Sequence, residues 1–350
     1  MIKVLIVDDS AFMRNAISSM LSSDQEIMVV GTAKDGIEAL EKVESLKPDI
    51  VTMDVEMPKM DGISALKQIM KKNPVPVIMI SALTSEGVKV TLDALELGAV
   101  DFIPKNLSDL SINIVKIKEI LINKVKQITR KQIASKGLRP PVAQRILETH
   151  HSIYPMTTSE RRMGIVSIGT STGGPKALHE ILPKIPKDFP VPIVIAQHMP
   201  AAFTGPFADR LNQISQITVK EAEEGERLRP GVALIAPGRG NMRVKRQRAI
   251  ETIVTISENG EEFIYRPSVD ALMLSVAEYY PGRALGIILT GMGNDEIKGV
   301  TAIKKSGGKV FAQNEDTCIV YGMPKAVVEA GIADKLLPLD DIAGEIINSV

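Results

Sequence analysis

The sequence lacks the features that define several broad classes of protein. Its 350 residues include one cysteine, Cys318, which excludes an internal disulfide and a thiolate-rich metal site, and which we expect to be buried as a small apolar residue. No apolar run approaches the roughly 20 residues that a membrane-spanning helix needs, and Asp8-Asp9 comes too early for a signal peptide. We therefore expect a cytoplasmic protein without membrane insertion.

Charge of one sign is also missing, because Lys plus Arg and Asp plus Glu each total 42 and the formal net charge is zero. A neutral chain has no overall field to attract nucleic acid or an anionic membrane. The charges are unevenly spread: residues 1–123 carry 13 basic and 18 acidic side chains, 124–162 carry 9 and 2, and 163–350 carry 20 and 22. With a length typical of two domains, this predicts domains at 1–123 and 163–350 joined by a basic linker, 124–162.

Apolar runs alternate with amphipathic helical patterns in both halves, which is typical of α/β domains with parallel sheets. Residues 1–123 are predicted to form a five-stranded parallel, flavodoxin-like domain whose last helix spans about 107–126. A second alternation starts at Ile165 and predicts a doubly wound, mostly parallel Rossmann-like sheet with an antiparallel edge hairpin around Arg243 and Ile253. The strand candidates are 3–7, 28–31, 49–53, 75–80, 100–103, 165–168, 191–196, 232–235, 242–245, 252–256, 285–289 and 309–312.

Polar side chains follow the strand candidates of the first domain. Asp8 and Asp9 end the first run, Asp54 the third, Ser81 the fourth and Lys105 the fifth. Taken singly, each also fits a helix cap or a solvated position. Because strand ends collect at one edge of a parallel sheet, we expect these groups to converge, and three carboxylates there favour a bound Mg²⁺. The pattern predicts an aspartate that is phosphorylated, with Lys105 and Ser81 able to contact the phosphoryl oxygens.

These residues resemble the response-regulator receiver family across 1–123. The motifs that carry the resemblance are Val7-Asp8-Asp9-Ser10, Met53-Asp54-Val55-Glu56-Met57-Pro58 with Met60-Asp61-Gly62, Ile80-Ser81-Ala82 and Gly98-Ala99-Val100-Asp101-Phe102-Ile103-Pro104-Lys105. The resemblance implies these roles: phosphorylation of Asp54, Mg²⁺ binding by Asp8, Asp9 and Asp54, sensing of the phosphoryl group by Ser81 and Lys105, and a switch aromatic at Phe102. Asn106 departs from the family, which commonly has proline there.

The second domain opens with the run Gly169-Thr170-Ser171-Thr172-Gly173-Gly174, between a strand candidate and a helix predicted from Pro175. The run reads G-x-S-x-G. A serine at a sharp strand-to-helix turn holds its hydroxyl clear of the backbone and near the amides that start the helix, which suits acyl transfer. The alternative is that the glycines form a tight turn or a phosphate-binding nest and Ser171 only caps the helix.

Histidine is scarce, with four residues in the chain, so a base for Ser171 can be sought by elimination. His150 and His151 fall in the predicted linker, and His179 lies one turn into the helix after Pro175. His198 ends the next strand candidate, and consecutive strands of this kind usually lie side by side. We therefore predict His198 as the base, although an exposed loop histidine fits the same position.

A carboxylate is needed to orient the histidine, and two acids compete for this role. Asp295 follows a strand candidate and a glycine-rich turn, whereas Asp270 lies in a turn into a helix that Ser268 would cap. We predict Asp295. The resulting order, Ser171, His198, Asp295, differs from the Ser, Asp, His order of α/β-hydrolases.

Residues 163–350 resemble the catalytic domain of chemotaxis protein-glutamate methylesterases. The motifs are GTSTGGPKAL at 169–178, QHMP at 197–200 with Phe203-Thr204, IAPG at 235–238, RPSVD at 266–270, LTGMGND at 289–295 and Gly322-Met323-Pro324-Lys325-Ala326-Val327-Val328. The resemblance implies the following roles: nucleophile Ser171, base His198, orienting acid Asp295, an oxyanion hole that includes the Met292 amide, and Thr172 beside the nucleophile. Glu296 and Asn241 depart from the family, which usually has glycine and histidine near these positions; Glu296 is expected to stabilise the next helix or to repel an acidic substrate.

The two resemblances together imply a phosphorylation-controlled hydrolase of glutamate methyl esters that also deamidates glutamine. They imply a chemotaxis histidine kinase as phosphodonor and cytoplasmic helices of methylated chemoreceptors as substrate, with no cofactor in the catalytic domain, and we expect a monomer. We expect the unphosphorylated receiver to cover Ser171. The alternatives are a receiver-controlled binding module, with a DNA-binding or dinucleotide-binding output, or a serine hydrolase with a non-receptor substrate. The alternating α/β pattern and the glycine spacing disfavour the two binding modules.

Overall fold

Two parallel sheets organise the chain, one for each series of apolar runs. The structure is a computed structural model that describes residues 1–105, 114–136, 162–248, 251–258 and 263–350. Within those ranges, Cys318 is fully buried, as expected. No helix in the described ranges is both long enough and apolar enough to span a bilayer.

The first domain alternates strands and helices without interruption. Its elements are β1 Ile2–Val7, α1 Ala11–Ser22, β2 Ile27–Ala33, α2 Gly36–Leu46, β3 Ile50–Asp54, α3 Gly62–Lys72, β4 Val77–Ser81, α4 Ser85–Glu96, β5 Asp101–Pro104 and α5 Ile114–Lys136. The strands form a parallel sheet in the order β2-β1-β3-β4-β5. Asp35, Asp61 and Thr84 begin α2, α3 and α4 because their side chains accept hydrogen bonds from first-turn amides.

The second domain has a larger sheet with helices on both faces. Its elements are β6 Ile165–Thr170, α6 Gly174–Ile181, β7 Ile193–Gln197, α7 Ala201–Ile214, β8 Thr218–Glu221, β9 Val232–Ile235, β10 Asn241–Arg248, β11 Glu251–Ser257, α8 Val269–Tyr279, β12 Ala284–Ile288, α9 Ile297–Lys305, β13 Lys309–Gln313, α10 Met323–Glu329, β14 Lys335–Leu337 and α11 Leu339–Asn348. The order of the seven-stranded sheet is β14-β13-β12-β6-β7-β9-β8. Because β6 lies between β12 and β7, the loops that follow these three strands meet at one edge.

The predicted α/β class and both parallel sheets are confirmed, with differences in detail. The antiparallel pair β10–β11 forms a two-stranded sheet of its own, and its buried Val244 packs in the same apolar cluster as residues of α8. The sequence did not reveal β8 or β14, since short edge strands such as Thr218–Glu221 and Lys335–Leu337 carry too few apolar residues for a strand pattern.

Helix α5 is longer at its carboxyl end than predicted. It continues to Lys136, so residues 124–136 of the predicted linker are helical. Residues 137–161, which include His150 and His151, lie outside the described residues, as do Asn106 and the predicted start of this helix at 107.

Candidate active site

Ser171 lies directly after β6, in the turn that leads to α6. The chain turns through Gly173, whose φ of +81° lies in the left-handed region that favours glycine. Pro175 then enters the first turn of the helix, where its missing amide hydrogen costs no bond. Gly173 occupies the N-cap position of α6, so Ser171 does not cap this helix, which was one part of the alternative considered from the sequence.

The loop after β12 approaches Ser171 closely. A Cβ atom added to Gly291 would lie 2.9 Å from the Cβ atom of Ser171, which explains glycine at this position. The Ser171 amide donates to the carbonyl of Thr290 over 3.1 Å, and the Gln197 side chain donates to the Ser171 carbonyl over 3.0 Å. The Met292 amide, in the same loop, has no acceptor among the described residues.

His198 follows β7, and its amide donates to the carbonyl of Thr170 over 3.1 Å. Its Nε2 atom lies 2.8 Å from Oδ2 of Asp295, while Nδ1 is buried and has no hydrogen-bond partner in the described part of the chain. If Nε2 carries the proton given to the carboxylate, Nδ1 holds a lone pair that can accept a proton. The structure therefore brings the predicted base and the predicted acid together, whereas His179 lies on the exposed side of α6.

The carboxylate of Asp295 accepts two further hydrogen bonds from the start of α8. The Ser268 hydroxyl donates to Oδ1 over 2.7 Å, and the Val269 amide donates to Oδ2 over 2.8 Å. Ser268 caps α8 and Asp270 lies in its first turn, as predicted. Asp270 instead accepts a hydrogen bond from the Gly299 amide over 2.7 Å, so Asp295 is the acid that pairs with the histidine.

The structure corrects one expectation about Glu296. Its side chain is fully buried, and both carboxyl oxygens lack a hydrogen-bond partner within the described residues. Burial, reinforced by the charges of Asp270 and Asp295, raises the pKa of Glu296 to about 9. A neutral, buried carboxyl group neither repels a substrate at the surface nor supplies a negative charge to the amino-terminal end of α9, so neither suggested role applies at neutral pH.

Tyr265 lies against His198. The two rings are parallel, with 4.4 Å between centroids and an interplanar angle of 1°. The tyrosine hydroxyl faces the glycine-rich loop, since a Cβ atom added to Gly293 would lie 3.1 Å from it. Burial, together with the charges of Asp295 and Glu296, raises the pKa of Tyr265, so its hydroxyl stays neutral.

The predicted acidic cluster forms at the carboxyl edge of the receiver sheet. Carboxylate oxygens of Asp8, Asp9 and Asp54 lie within 4.8 Å of one another. Lys105 Nζ lies 2.5 Å from Asp54 Oδ2 and 3.2 Å from Asp8 Oδ2. Burial raises the pKa of Asp54 to about 6, although the hydrogen bond from Lys105 opposes the shift.

Ser81 and Phe102, the predicted sensing residues, contact other partners in this structure. The Ser81 hydroxyl donates to the carbonyl of Gly87 over 3.3 Å and accepts from Thr91 over 2.5 Å, so it is bonded to α4. Phe102 is buried against Phe203 of α7, with 4.2 Å between ring centroids and 30° between planes. A receiver residue at the predicted switch position therefore packs directly on the second domain.

The receiver also contacts the residue beside Ser171. The Thr172 hydroxyl donates to Asp101 Oδ2 over 2.5 Å, and Lys124 of α5 pairs with the same carboxylate. Thr172 is only 3% exposed in this arrangement. In the same region, Met292 and Val320 share an apolar cluster with α5 residues of the receiver.

A second contact joins α4 to α7. Arg210 donates to Asp93 Oδ1 over 2.5 Å, to Glu96 Oε1 over 3.0 Å and to the carbonyl of Lys89 over 2.8 Å. The receiver therefore contacts the second domain both beside Ser171, at Thr172, and along α7.

Several of these residues were not identified from the sequence. Four of them have roles only because the two domains pack against each other: Asp101, Lys124, Phe203 and Arg210. The hydrophobic periodicity of a sequence does not predict how two domains pack. Tyr265 had a local signal, because it directly precedes the RPSVD motif at 266–270.

Comparison with known proteins identifies relatives of both domains. Residues 166–346 match the family CheB methylesterase, and residues 4–114 match the response regulator receiver domain. A protein-glutamate methylesterase/protein-glutamine glutaminase 1 of Oleidesulfovibrio alaskensis is 49% identical over 368 aligned positions, with 100% of each chain covered. A protein of the same name, numbered 2, from Nitratidesulfovibrio vulgaris is 48% identical, again with 100% of each chain covered.

A solved structure resembles the second domain. The catalytic domain of the Thermotoga maritima CheB methylesterase is 44% identical and superimposes with a TM-score of 0.52, covering 54% of this chain and 99% of that domain.

Proposed function

This chain belongs to the CheB methylesterase family, whose members named above are protein-glutamate methylesterases and protein-glutamine glutaminases, and we propose that Ser171, His198 and Asp295 perform its hydrolysis. The chain is accordingly a hydrolase with a receiver domain. The observation that supports this triad best is the 2.8 Å contact of His198 with Asp295, at the end of the strand next to Ser171.

In the first half of the reaction, the Ser171 hydroxyl attacks the side-chain carbonyl of a glutamyl methyl ester. His198 takes the serine proton at Nδ1 and gives it to the departing methoxide, so methanol leaves and an acyl-serine forms. Asp295 stabilises the imidazolium through Nε2–H. The Met292 amide donates to the oxyanion of the tetrahedral intermediate.

In the second half, His198 removes a proton from water, the hydroxide attacks the acyl-serine, and the proton returns to Ser171. The product is a glutamate side chain. With a glutamine substrate the same steps release ammonia in place of methanol, so both reactions end in the same carboxylate.

The receiver supplies the control. Asp54 is the proposed phosphoacceptor, and the surrounding residues fit Mg²⁺, because the three carboxylates offer oxygen ligands within 4.8 Å of one another and the buried Asp8 and Asp54 share the single ammonium group of Lys105. A bound Mg²⁺ would neutralise these carboxylates and a phosphoryl oxygen. Lys105, already paired with Asp54, would then hold another phosphoryl oxygen.

In the unphosphorylated state, the receiver restricts access to Ser171. The bond from Thr172 to Asp101 and the packing of Phe102 on Phe203 support this view, because both place receiver side chains beside the nucleophile turn. A chemotaxis histidine kinase is the proposed phosphodonor. Methylated helices of chemoreceptors in the cytoplasm are the proposed substrate of a monomeric enzyme, and demethylating or deamidating them adapts the chemotactic response.

The test is methanol release from methylated receptor, with and without a small phosphodonor. Ser171→Ala is expected to abolish release under both conditions, and Asp54→Asn to remove the stimulation alone. Ser167→Ala is the matched control, because Ser167 is a buried serine of β6, the strand before Ser171, and its hydroxyl has no partner among the described residues. Undiminished release by Ser171→Ala would refute the triad, and labelling of Asp54→Asn by the phosphodonor would refute the phosphoacceptor.

A further inference from the structure

The segment Tyr265–Ser268, which leads into α8, contacts both proposed partners of Ser171. We propose that this segment positions the catalytic pair: Tyr265 fixes the ring plane of His198, and Ser268 fixes the carboxylate of Asp295. The inference rests on the proposed triad. It states that one short segment of the chain holds both His198 and Asp295 in position.

The hydrogen bonds of Ser268 have only one possible direction. Its hydroxyl accepts a hydrogen bond from the Ala271 amide over 3.1 Å, which uses a lone pair. Its single proton is then free for Asp295 Oδ1, 2.7 Å away. Because Ser268 is fully buried, no water competes for either bond. The serine therefore caps α8 with one side of its hydroxyl and holds Asp295 with the other.

This arrangement settles the orientation of the carboxylate. Oδ1 receives the Ser268 hydroxyl, and Oδ2 receives the Val269 amide and His198 Nε2, at 2.8 Å each. The Val269 amide is an N-terminal amide of α8, which has no acceptor within the helix and favours negative charge. With both oxygens occupied, the carboxylate cannot rotate without losing a bond, so Nε2 keeps the proton and Nδ1 remains the acceptor for Ser171.

Asn241 supports the same segment from the start of β10. Its side-chain oxygen accepts a hydrogen bond from the Ser268 amide over 2.8 Å, and Asn241 is 6% exposed. Asn241, which departs from the family pattern, therefore holds the backbone of Ser268 in the position from which its hydroxyl reaches Asp295.

Tyr265 acts on the histidine. A parallel ring 4.4 Å away covers one face of the imidazole and restricts its tilt toward that face. When His198 takes the serine proton, the aromatic face also stabilises the imidazolium. Tyr265 reaches the loop of Met292 as well, through its hydroxyl near Gly293, so one side chain spans the base and the oxyanion site.

The test uses the full-length protein and separates positioning from folding. Ser268→Ala removes the proton donor and the cap, Ser268→Thr retains a hydroxyl, and Thr84→Ala removes a comparable cap from α4 in the receiver. The measurements are kcat and KM for methanol release as a function of pH, the rate of labelling by a fluorophosphonate probe, and thermal unfolding by circular dichroism.

We expect Ser268→Ala to lower kcat about 10- to 100-fold with little change in KM, and Ser268→Thr to recover most of the loss. The acid limb of kcat/KM should move to higher pH, because a carboxylate that has lost a donor stabilises the imidazolium more strongly. The nearby acids Asp270 and Glu296 are the same in all variants. Thr84→Ala should share the loss of thermal stability but keep the pH profile of the wild type.

For the stacked ring, we expect Tyr265→Leu to lower kcat and fluorophosphonate labelling, and Tyr265→Phe to lose less because it keeps the stack. Wild-type kcat and an unshifted acid limb in both Ser268→Ala and Tyr265→Leu would overturn the inference while Ser171→Ala stays inactive. If Ser171→Ala itself were active, the triad would fail first and the two failures would be distinguished. A Ser268→Ala defect that Ser268→Thr does not relieve would also contradict the positioning role.

Discussion

Asp54 and Asp295 both lie at the carboxyl edge of a parallel sheet, yet their surroundings differ. Asp295 has a donor for each oxygen, from Ser268, Val269 and His198. Asp54 accepts from the Glu56 amide over 3.4 Å and from Lys105 over 2.5 Å, but it also lies beside the carboxylates of Asp8 and Asp9, and its pKa is raised to about 6. The carboxylate that must keep one geometry is held by three hydrogen bonds, whereas the carboxylate proposed to accept a phosphoryl group lies among like charges that a bound cation can neutralise.

The sharpest way to break this comparison is to neutralise each acid. Asp295→Asn should reduce turnover by about 10³–10⁴-fold, because an amide cannot stabilise the imidazolium and favours the wrong histidine tautomer. Asp54→Asn should leave unstimulated turnover intact. Steady-state methanol release, without phosphodonor, measures both.

Asp270→Asn is the matched control for this experiment, since Asp270 is a buried acid in the first turn of α8 that accepts a hydrogen bond from Gly299 and does not pair with His198. Its effect should be far smaller than that of Asp295→Asn. An equal loss in the two variants would show that any buried charge in this region matters, and that the pairing does not.

A substitution at Asp101 tests the contact between the receiver and the turn that holds Ser171. Asp101→Ala removes the acceptor of the Thr172 hydroxyl and the partner of Lys124, so basal turnover should rise about tenfold without phosphodonor. Asp24→Ala is the control, because it breaks an ion pair of α5 with Lys126 outside the domain contact. Basal turnover that rises equally in the control, or in neither variant, contradicts a restricting receiver.

Arg210→Ala should act in the same direction but more weakly. Its partners Asp93 and Glu96 are 45% and 44% exposed at the side chain, and such ion pairs contribute about 1 kcal/mol or less. We expect a rise in basal turnover of about two- to fivefold that shrinks at high salt, measured at two ionic strengths. A rise larger than that of Asp101→Ala would reverse the ranking of the two contacts.

Glu296 gives the smallest expected effect, on stability and not on turnover. Its pKa is about 9 in the folded protein against 4.5 as the ordinary value, so the folded state binds more protons between these limits. The free energy of unfolding therefore falls as pH rises from about 4.5 to about 9. Glu296→Gln stays neutral, and its Tm should decline less between pH 6 and pH 9, by a few degrees.

The exposed Glu44 provides the control for that titration, since Glu44→Gln changes a solvated carboxyl group. A Tm profile of Glu296→Gln that runs parallel to the wild type would show that Glu296 is ionised in the folded protein.

Residues at strand ends were the most predictable part of this protein. Asp8, Asp54, Ser171 and His198 follow apolar runs whose parallel packing brings their ends to one edge, so order along the chain was enough. The predicted roles of Glu296 required an ionised side chain, and they were wrong because the packing of α9 buries it. The local sequence does not predict that packing. The domain contact was equally hidden, since Asp101 and Thr172 are 71 positions apart and their meeting depends on the docking of two separately folded sheets.

The packing of Phe102 against Phe203 has a thermodynamic consequence for the receiver. If phosphorylation at Asp54 weakens this docking, linkage requires docking to weaken phosphorylation by the same free energy. The catalytic domain is then a negative effector of the phosphorylation of Asp54. While Phe102 is packed on Phe203, part of the free energy of phosphorylation is used to separate the two rings. Tighter packing of these rings would lower the basal turnover of the enzyme. It would also raise the degree of phosphorylation needed to activate it.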